Sequence, residues 1–209
     1  MPARIGVFGG SFNPPHVAHL ILAERARVER ALDKVLFVVA GQPPHKAPRP
    51  LAPGPDRLRM VELAIEGNPA FEAEDLELKR QGASYTLLTI RELRSRFGAE
   101  AELFLMMGGD SLLDLPAWWR AEELVHEAPI IAFGRPGNSL DAGLDGLAAH
   151  FGEAWVRQVR ELMVQAPQMD ISATEVRERV RAGLSVRYMV PEAVREYILE
   201  RGLYSGAER

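Results

Sequence analysis

Short runs of apolar residues alternate along the chain with longer segments of helical periodicity. The runs predict buried parallel strands, because a strand covered on both faces is apolar at nearly every position. They cover residues 5–8, 35–40, 73–78, 103–107, 130–133 and 162–164. Apolar residues three and four positions apart predict helices over 16–28, 56–65 with Asp56 as its cap, 86–97, 172–182 and 191–201, with one or two weaker surface helices over 140–160.

This order of elements predicts the fold class. Strand and helix alternate through most of the chain, as expected of a parallel sheet with helices on both faces. The prediction is an α/β, doubly wound, Rossmann-like sheet in a single domain over residues 1–209. The part from about 170 to 209 is predicted to be helical.

Charge and composition narrow the classes of function. The net charge of −4 gives no overall attraction to nucleic acid, so an anionic substrate needs a local basic site. The lack of cysteine excludes disulfides, thiol catalysis and cysteine-ligated zinc. No segment has the pattern of a signal sequence or approaches the ~18 apolar residues of a membrane span. A cytoplasmic protein with no nucleic acid and no membrane partner is expected, as a monomer or a homodimer.

Candidate functional residues follow the carboxyl ends of four predicted strands. Segment 9–19 follows the first strand, segment 42–46 the second, segment 108–110 the fourth, and Arg135 the fifth. A doubly wound sheet binds its ligands outside the carboxyl ends of its strands. These segments are therefore expected to meet at one site.

The segment after the first strand is a glycine-rich turn that leads into a helix. Gly9 and Gly10 allow a sharp turn and the close approach of a ligand to main-chain N–H groups. His16 and His19 are three residues apart and share one face of the helix. They lie near its N-terminus, where unpaired N–H groups and the helix dipole favour an anion. The segment therefore predicts a phosphate site.

The sequence GGSFNPPHVAHL at 9–20 resembles the (H/T)-x-G-H signature of the nucleotidyltransferase superfamily. Within it, the chain is most similar to the nicotinate-nucleotide adenylyltransferase family. The resemblance implies adenylyl transfer from ATP to nicotinate mononucleotide by direct in-line attack, giving nicotinate adenine dinucleotide and pyrophosphate in NAD biosynthesis. It implies that His16 and His19 donate to the phosphates around the reacting centre. Ala18 departs from the signature, because it stands in place of the motif's glycine.

A second motif lies near the C-terminal end of the chain. Ile171, Ser172, Thr174 and Arg177 match the I-S-x-T-x-x-R pattern of the family. By itself, Ser172 with Glu175 three positions later indicates a capping box. The resemblance implies that the hydroxyl and N–H groups at this helix start bind ATP phosphates, and that Arg177 joins the two histidines in the catalytic set. The two interpretations are compatible, because both use the helix N-terminus.

The resemblance implies further contacts with ATP. Gly108 and Asp110 match a G-x-D element, in which Asp110 hydrogen-bonds the ribose or adenosine; a helix cap is the alternative. Arg135, at the start of a Pro-Gly loop, is an adenine or phosphate contact. The full set implied for ATP is Gly9, Gly10, Ser11, Phe12, His16, His19, Gly108, Asp110, Arg135, Ile171, Ser172, Thr174 and Arg177.

A second set of residues is implied for the mononucleotide. Lys46, in a Pro-Pro-His-Lys loop, contacts its phosphate or is a solvated surface lysine. Thr86 binds the mononucleotide or caps its helix. Trp118 stacks on the pyridine ring, whereas Trp119 is expected to serve in packing. The implied set is Lys46, Ser84, Tyr85, Thr86 and Trp118.

The cofactor implied by the resemblance is Mg²⁺, bound through the phosphates of ATP rather than by a protein cage. No metal ligands are therefore predicted. The alternative functions are a pantetheine-phosphate or a nicotinamide mononucleotide adenylyltransferase and, from a different class, a non-catalytic nucleotide sensor in which Ala18 marks a decayed site. Lys46, Thr86 and Trp118 favour the pyridine-nucleotide branch, and the intact pair of histidines argues against decay.

Overall fold

Parallel strands form the sheet at the centre of the computed structural model, which describes residues 2–42, 51–134, 140–165, 167 and 169–206. The strands are β1 (Arg4–Gly10), β2 (Lys34–Val39), β3 (Phe71–Glu74), β4 (Glu102–Gly108), β5 (Ile130–Gly134) and β6 (Val164–Gln165). They are hydrogen-bonded in the order β3-β2-β1-β4-β5-β6, and every neighbouring pair is parallel. This is the strand order of a doubly wound sheet, so the predicted fold class is confirmed.

Helices cover the sheet and connect its strands. They are α1 (Val17–Glu29), α2 (Gly54–Ile65), α3 (Leu76–Lys79), α4 (Thr86–Phe97), α5 (Gly109–Leu113), α6 (Ala121–Glu127), α7 (Leu140–Phe151), α8 (Glu153–Leu162), α9 (Ala173–Arg181) and α10 (Glu192–Glu200). In the described part of the chain, none of them is long and apolar enough to cross a bilayer.

Side chains on opposite faces of the strands belong to two hydrophobic clusters. Along β2, Leu36 and Val38 pack in the cluster beneath α4, α6, α7 and α8. Val35, Phe37 and Val39 pack in the cluster beneath α1 and α2. Because both faces are covered, the strand is apolar at successive positions, as the continuous runs in the sequence predict.

A third cluster joins the C-terminal helices to α2. Met60 of α2 packs with Val176 of α9 and with Val194 and Ile198 of α10, and all four side chains are buried. The helices predicted over 172–182 and 191–201 are therefore confirmed. The placement of a boundary near residue 170 stays a prediction.

The third strand is shorter than predicted. The pattern predicts a strand over 73–78, whereas β3 ends at Glu74 and α3 begins at Leu76. The Leu78 and Lys79 N–H groups donate to the Asp75 carbonyl, so local hydrogen bonds replace the strand ladder. The prediction is wrong over 75–78, because moderate alternation of apolar residues fits one helical turn as well as a short strand.

Helix α2 begins two residues earlier than predicted, so Asp56 is not its cap. Pro53 precedes the helix and Pro55 lies in its first turn, where the fixed φ of proline is tolerated. The Asp56 side chain is buried and accepts a hydrogen bond from the Tyr197 hydroxyl at 2.7 Å. Arg201 Nε lies 3.5 Å from Asp56 Oδ1. Asp56 therefore connects α2 to the C-terminal helix.

The region after 140 also differs from its prediction. The surface helices expected over 140–160 are α7 and α8, but they contribute core residues, namely Leu144, Leu147, Trp155, Val156 and Val159. The strand predicted over 162–164 is shifted, since α8 ends at Leu162 and β6 is Val164–Gln165. The apolar residues at 162 and 163 complete the helix end instead of the sheet.

Candidate functional site

A cleft of about 990 Å³ opens at the carboxyl end of the sheet. Residues after β1, β2 and β4 line it, together with the first residues of α1, α4 and α9. The strand order reverses between β1 and β4, and this switch point is where doubly wound sheets bind ligands. Three helix N-termini at one cleft bring unpaired N–H groups and the positive ends of helix dipoles together. The cleft is therefore suited to an anionic ligand.

Most of the residues predicted for the site line this cleft. They are Gly9, Gly10, Ser11, Phe12, His16, His19, Ser84, Tyr85, Thr86, Gly108, Asp110, Trp118, Ile171 and Ser172. Thr174 and Arg177 are not among the lining residues. Lys46 and Arg135 lie outside the described residues. The structure therefore brings residues from both ends of the chain to one place.

The two histidines stack at the start of α1. Their ring centroids are 3.7 Å apart and their planes differ by 28°. The His16 backbone N–H donates to His19 Nδ1 at 3.1 Å. In the neutral ring, a nitrogen that accepts cannot bear the hydrogen, so His19 has its hydrogen on Nε2. His19 is thereby prepared to donate a hydrogen bond from Nε2.

His16 is an uncharged group at neutral pH. Its side chain is buried, and burial lowers its pKa to about 4. Within the described ranges, no group pairs with its buried Nδ1. The His16 residue lines the cleft, whereas its Nδ1 is itself buried beside the first turn of α1. Its ring therefore presents an uncharged group to a ligand rather than a cation.

The lowered pKa of His16 predicts a pH-dependent stability. Between its unfolded pKa of about 6.5 and its folded pKa of about 4, the unfolded chain binds more protons at this residue than the folded chain. This contribution to stability is therefore complete above the unfolded pKa and is lost as the pH falls. We expect it to lower the free energy of unfolding by about 2 kcal/mol from pH 7 to pH 5.

Urea unfolding of wild type and His16→Asn at both pH values measures this contribution. Asparagine suits the N-cap position of α1, and the variant should lose about 2 kcal/mol less than wild type between pH 7 and pH 5. The control is His126→Asn, at an exposed position in α6, which should keep the wild-type difference. An equal pH dependence in wild type and His16→Asn would contradict the assignment.

The C-terminal motif contacts the turn between β1 and α1. Ser172 caps α9, since its Oγ accepts a hydrogen bond from the Glu175 N–H at 3.1 Å. Arg177 Nη1 donates to the Asn13 carbonyl at 2.8 Å, and Nη2 donates to Thr174 Oγ1 at 3.2 Å. The arginine thus holds the chain three residues before His16. Arg177 therefore contacts the turn through its backbone and is not among the residues that line the cleft.

Asn13 is a connection point that the sequence analysis missed. It is 2% exposed, and its Oδ1 accepts from the Ala52 N–H at 3.0 Å and from the Tyr204 hydroxyl at 2.8 Å. Burial raises the pKa of Tyr204, so the hydroxyl keeps its proton and remains a donor. The sequence indicates the importance of Asn13 only by placing it inside the first motif. Its partners are distant in the chain, and residue spacing does not predict them.

The segment from 84 to 86 forms a second wall of the cleft. The Gln42 N–H donates to Ser84 Oγ at 3.0 Å, and the Ser84 N–H donates to the Gln42 carbonyl at 2.9 Å. Tyr85 precedes α4, and Thr86 is its first residue. The helix therefore starts at Thr86 without a side-chain cap, which removes the capping alternative for that residue.

Two adjacent tryptophans also line the cleft. Trp118 is half-buried and packs against the core, and it also lines the cleft. Trp119 stacks on Tyr85, with ring centroids 4.5 Å apart, and it lines the cleft as well. Trp119 thus lines the cleft in addition to its packing role. Sequence analysis missed this, because two adjacent tryptophans carry no indication of which one faces a ligand.

Gly9 of β1 and Gly108 of β4 leave main-chain atoms exposed at the carboxyl end of the sheet. Apart from chain neighbours, no heavy atom of the described residues lies within 4 Å of a Cβ built at Gly9 or Gly108. Asp110 is exposed in the first turn of α5. Among the described residues, no group of three or more His, Asp and Glu side chains is arranged to hold a metal ion. The cleft therefore offers hydrogen-bond donors together with the separate carboxylates of Glu77, Asp110 and Asp170, which are not grouped as a metal cage in the described part of the chain.

The fold and the cleft define a nucleotide-binding α/β protein, and comparison with known proteins agrees. The cytidylyltransferase-like family matches residues 7–179. A protein of Salinibacter ruber named "Probable nicotinate-nucleotide adenylyltransferase" is 44% identical over 200 residues, covering 96% of this chain and 97% of the relative. One of the same name from Thermus thermophilus is 42% identical over 201 residues, covering 96% and 99%.

The chain belongs to the cytidylyltransferase-like family and, within it, to the nicotinate-nucleotide adenylyltransferases. A solved structure has the same fold: the Plasmodium falciparum nicotinic acid mononucleotide adenylyltransferase complexed with NaAD. It superimposes with a TM-score of 0.75 over 98% of both chains, at 18% sequence identity. The family predicted from the sequence is therefore confirmed.

Proposed function

We propose that the chain transfers the adenylyl group of ATP to nicotinate mononucleotide. The observation that most strongly supports this is the meeting of the His16 and His19 motif with the Ser172 motif at one cleft, although the two are more than 150 residues apart in the sequence. The names of the relatives support the acceptor, and the Plasmodium falciparum structure contains the corresponding dinucleotide. ATP and nicotinate mononucleotide are thus the proposed partners.

The reaction needs positioning and charge stabilisation more than covalent chemistry. A 5′-phosphate oxygen of the mononucleotide attacks the α-phosphorus of ATP, a new P–O bond forms, and the bond to the β-phosphate oxygen breaks. The electron pair leaves with pyrophosphate. Negative charge increases on the oxygens around the α-phosphorus, where fixed N–H donors stabilise it. The proposed donors are His16 and His19, with Arg177 as the nearby positive charge.

Magnesium enters the proposal as part of the ATP complex. The polar groups of the cleft are mainly N–H and hydroxyl donors, which suit phosphate oxygens better than they suit a cation. Bound through ATP phosphates, Mg²⁺ would neutralise part of their charge. Gly9, Gly10, Ser11, Phe12 and Gly108 then offer main-chain N–H groups to the nucleotide.

The proposed mononucleotide site is the wall of Ser84, Tyr85 and Trp118. The N-terminus of α4 begins there at Thr86 with no side-chain cap from the described residues, and its first N–H groups can bind the carboxylate of the nicotinate. An aromatic ring such as Trp118 can stack on the pyridine. Lys46 and Arg135 are proposed to add charge at the two substrates. A cytoplasmic location stays a prediction from the sequence.

The Trp118→Ala variant tests the mononucleotide site. Loss of the stacking surface should raise KM for nicotinate mononucleotide by about tenfold, because an aromatic contact with a bound ring is worth roughly 1–2 kcal/mol. KM for ATP should change by less than about twofold. The comparison variant is Trp155→Phe, at a buried core position outside the cleft, which should leave both KM values close to wild type. An unchanged KM for the mononucleotide in Trp118→Ala would assign Trp118 to packing alone.

Adenylyl transfer itself is tested with radiolabelled ATP. With the label on the α-phosphorus, we expect it in the dinucleotide and none in pyrophosphate. With the label on the γ-phosphorus, we expect the opposite. Binding of ATP without formation of either product would favour the non-catalytic sensor over the proposed function.

A further inference from the structure

Arg57 is an arginine buried in the first half of α2. It is 3% exposed, and burial lowers the pKa of its guanidinium from the ordinary value. It lies four residues before Val61 and eight before Ile65, on the face of the helix that packs against the sheet. Within the described residues it forms no ion pair. Its function is therefore not that of a buried salt bridge.

The donors of Arg57 are used on three main-chain carbonyls. Nη1 donates to the Ser11 carbonyl at 2.9 Å and to the Ala40 carbonyl at 2.8 Å. Nε donates to the Ala52 carbonyl at 3.0 Å. One guanidinium thus connects three separate segments of the chain, because its fork of N–H groups has a fixed planar geometry.

Two of these carbonyls lie where β1 and β2 end at the cleft. The Ala40 N–H donates to the Gly10 carbonyl at 2.9 Å, and no ladder hydrogen bond between the two strands follows it in the described chain. Ser11 and Ala40 both line the cleft. Arg57 therefore joins the two strands just beyond the point at which the sheet stops holding them together.

Holding the Ser11 carbonyl also fixes the next N–H group. In a planar trans peptide the carbonyl and the following N–H point in opposite directions, so the Phe12 N–H points away from Arg57. Among described residues, no acceptor pairs with this N–H. Phe12 has a φ of +43°, a conformation that L-residues rarely adopt. Such a turn persists only where its surroundings hold it.

We propose that Arg57 is the positioning residue of the phosphate subsite: by holding the Ser11 and Ala40 carbonyls, it fixes the turn whose main-chain N–H groups bind the phosphates of ATP. The inference rests on the proposed function of the cleft. Arg57 acts through the backbone and does not itself touch the substrate. Removing its fork should loosen the turn and weaken ATP binding, with little effect on the mononucleotide wall at 84–86.

The Arg57→Lys variant tests this, since it keeps the charge but cannot span three carbonyls with one ammonium group. Isothermal titration calorimetry should give a Kd for ATP about tenfold higher than wild type, because one to two hydrogen bonds to the backbone are lost. KM for nicotinate mononucleotide should stay within about twofold. Arg59→Lys, at an exposed position on the same helix that pairs with Glu62, is the matched control and should bind ATP as wild type does.

Two kinds of outcome in Arg57→Lys would overturn the inference, and a third outcome, in the wild type, would overturn only the proposed function. A Kd for ATP within about twofold of wild type would show that the turn does not need the fork. Equal losses for both substrates together with a lower Tm, or a chain that does not fold by circular dichroism, would make Arg57 a general stability residue. Wild-type protein that binds ATP but forms no dinucleotide would refute the proposed function, and the Kd comparison would still decide the role of Arg57. A normal Kd in Arg57→Lys with full turnover would refute the inference alone.

Discussion

Turnover in the His19→Ala variant is expected to be lower by about a hundredfold or more, the loss typical of removing a donor to the transition state. The reason is geometric. His19 Nδ1 is occupied by the His16 N–H, so the ring is held in one orientation, in which Nε2 carries the N–H proposed to donate to a phosphate oxygen. Alanine keeps the helix, since it has the highest helix propensity of all residues. KM for either substrate should change much less than kcat.

The matched control is His126→Ala, which removes an exposed histidine from α6 outside the cleft. The kcat of each variant is measured as the initial rate of pyrophosphate release at saturating ATP and mononucleotide. Circular dichroism checks that both variants are folded. The control should keep the wild-type kcat. A wild-type kcat in His19→Ala would remove His19 from the mechanism.

The second large effect is expected from Arg177→Met, which should lower kcat/KM for ATP by about tenfold to a hundredfold. The residue donates a charge-assisted hydrogen bond to the Asn13 carbonyl, and such bonds are worth roughly 1.5–3 kcal/mol. Methionine keeps much of the side-chain volume and loses both the charge and the donors. The turn before His16 and the positive charge beside it should therefore be lost together.

Arg181→Met is the matched control for this variant. Arg181 lies one turn further along α9 and is exposed, so its loss changes the net charge equally without touching the turn. Steady-state kinetics with varied ATP should separate the two variants clearly. Equal kinetics in both would show that Arg177 serves the fold of the C-terminal helices rather than the reaction.

Local pattern predicts the elements of this fold well, and its errors have local causes. The strands at 35–40 and 103–107 are buried on both faces, and their continuous apolar runs leave little choice of structure. The segment at 73–78 is different, because a helical turn held by the Asp75 carbonyl competes with a short edge strand. The pairing order of the strands depends on contacts between distant segments, which periodicity alone does not contain.

The residues of the site also divide into those that the sequence predicts and those that only the structure identifies. The strand ends predict that Gly9 and His16 lie at the carboxyl edge of the sheet, and the family resemblance of its motif implies that Ser172 joins them at the same nucleotide site. Arg57 lies on the apolar face of its helix, at a spacing of four from Val61, and a buried arginine at such a position is a signal that the sequence does contain. Its acceptors are main-chain carbonyls, which have no signature in the sequence, so only the structure identifies them.

Acid and amide acceptors are compared by measuring pyrophosphate release from MgATP with nicotinate mononucleotide and with nicotinamide mononucleotide, side by side. We expect release with the acid and a higher kcat/KM for the acid than for the amide, because the first N–H groups of α4, which no described side chain caps, favour a carboxylate. Comparable values would contradict the acid preference and describe an enzyme of dual specificity. Absence of release with either mononucleotide would contradict the proposed function itself, and phosphopantetheine would be the next acceptor to test.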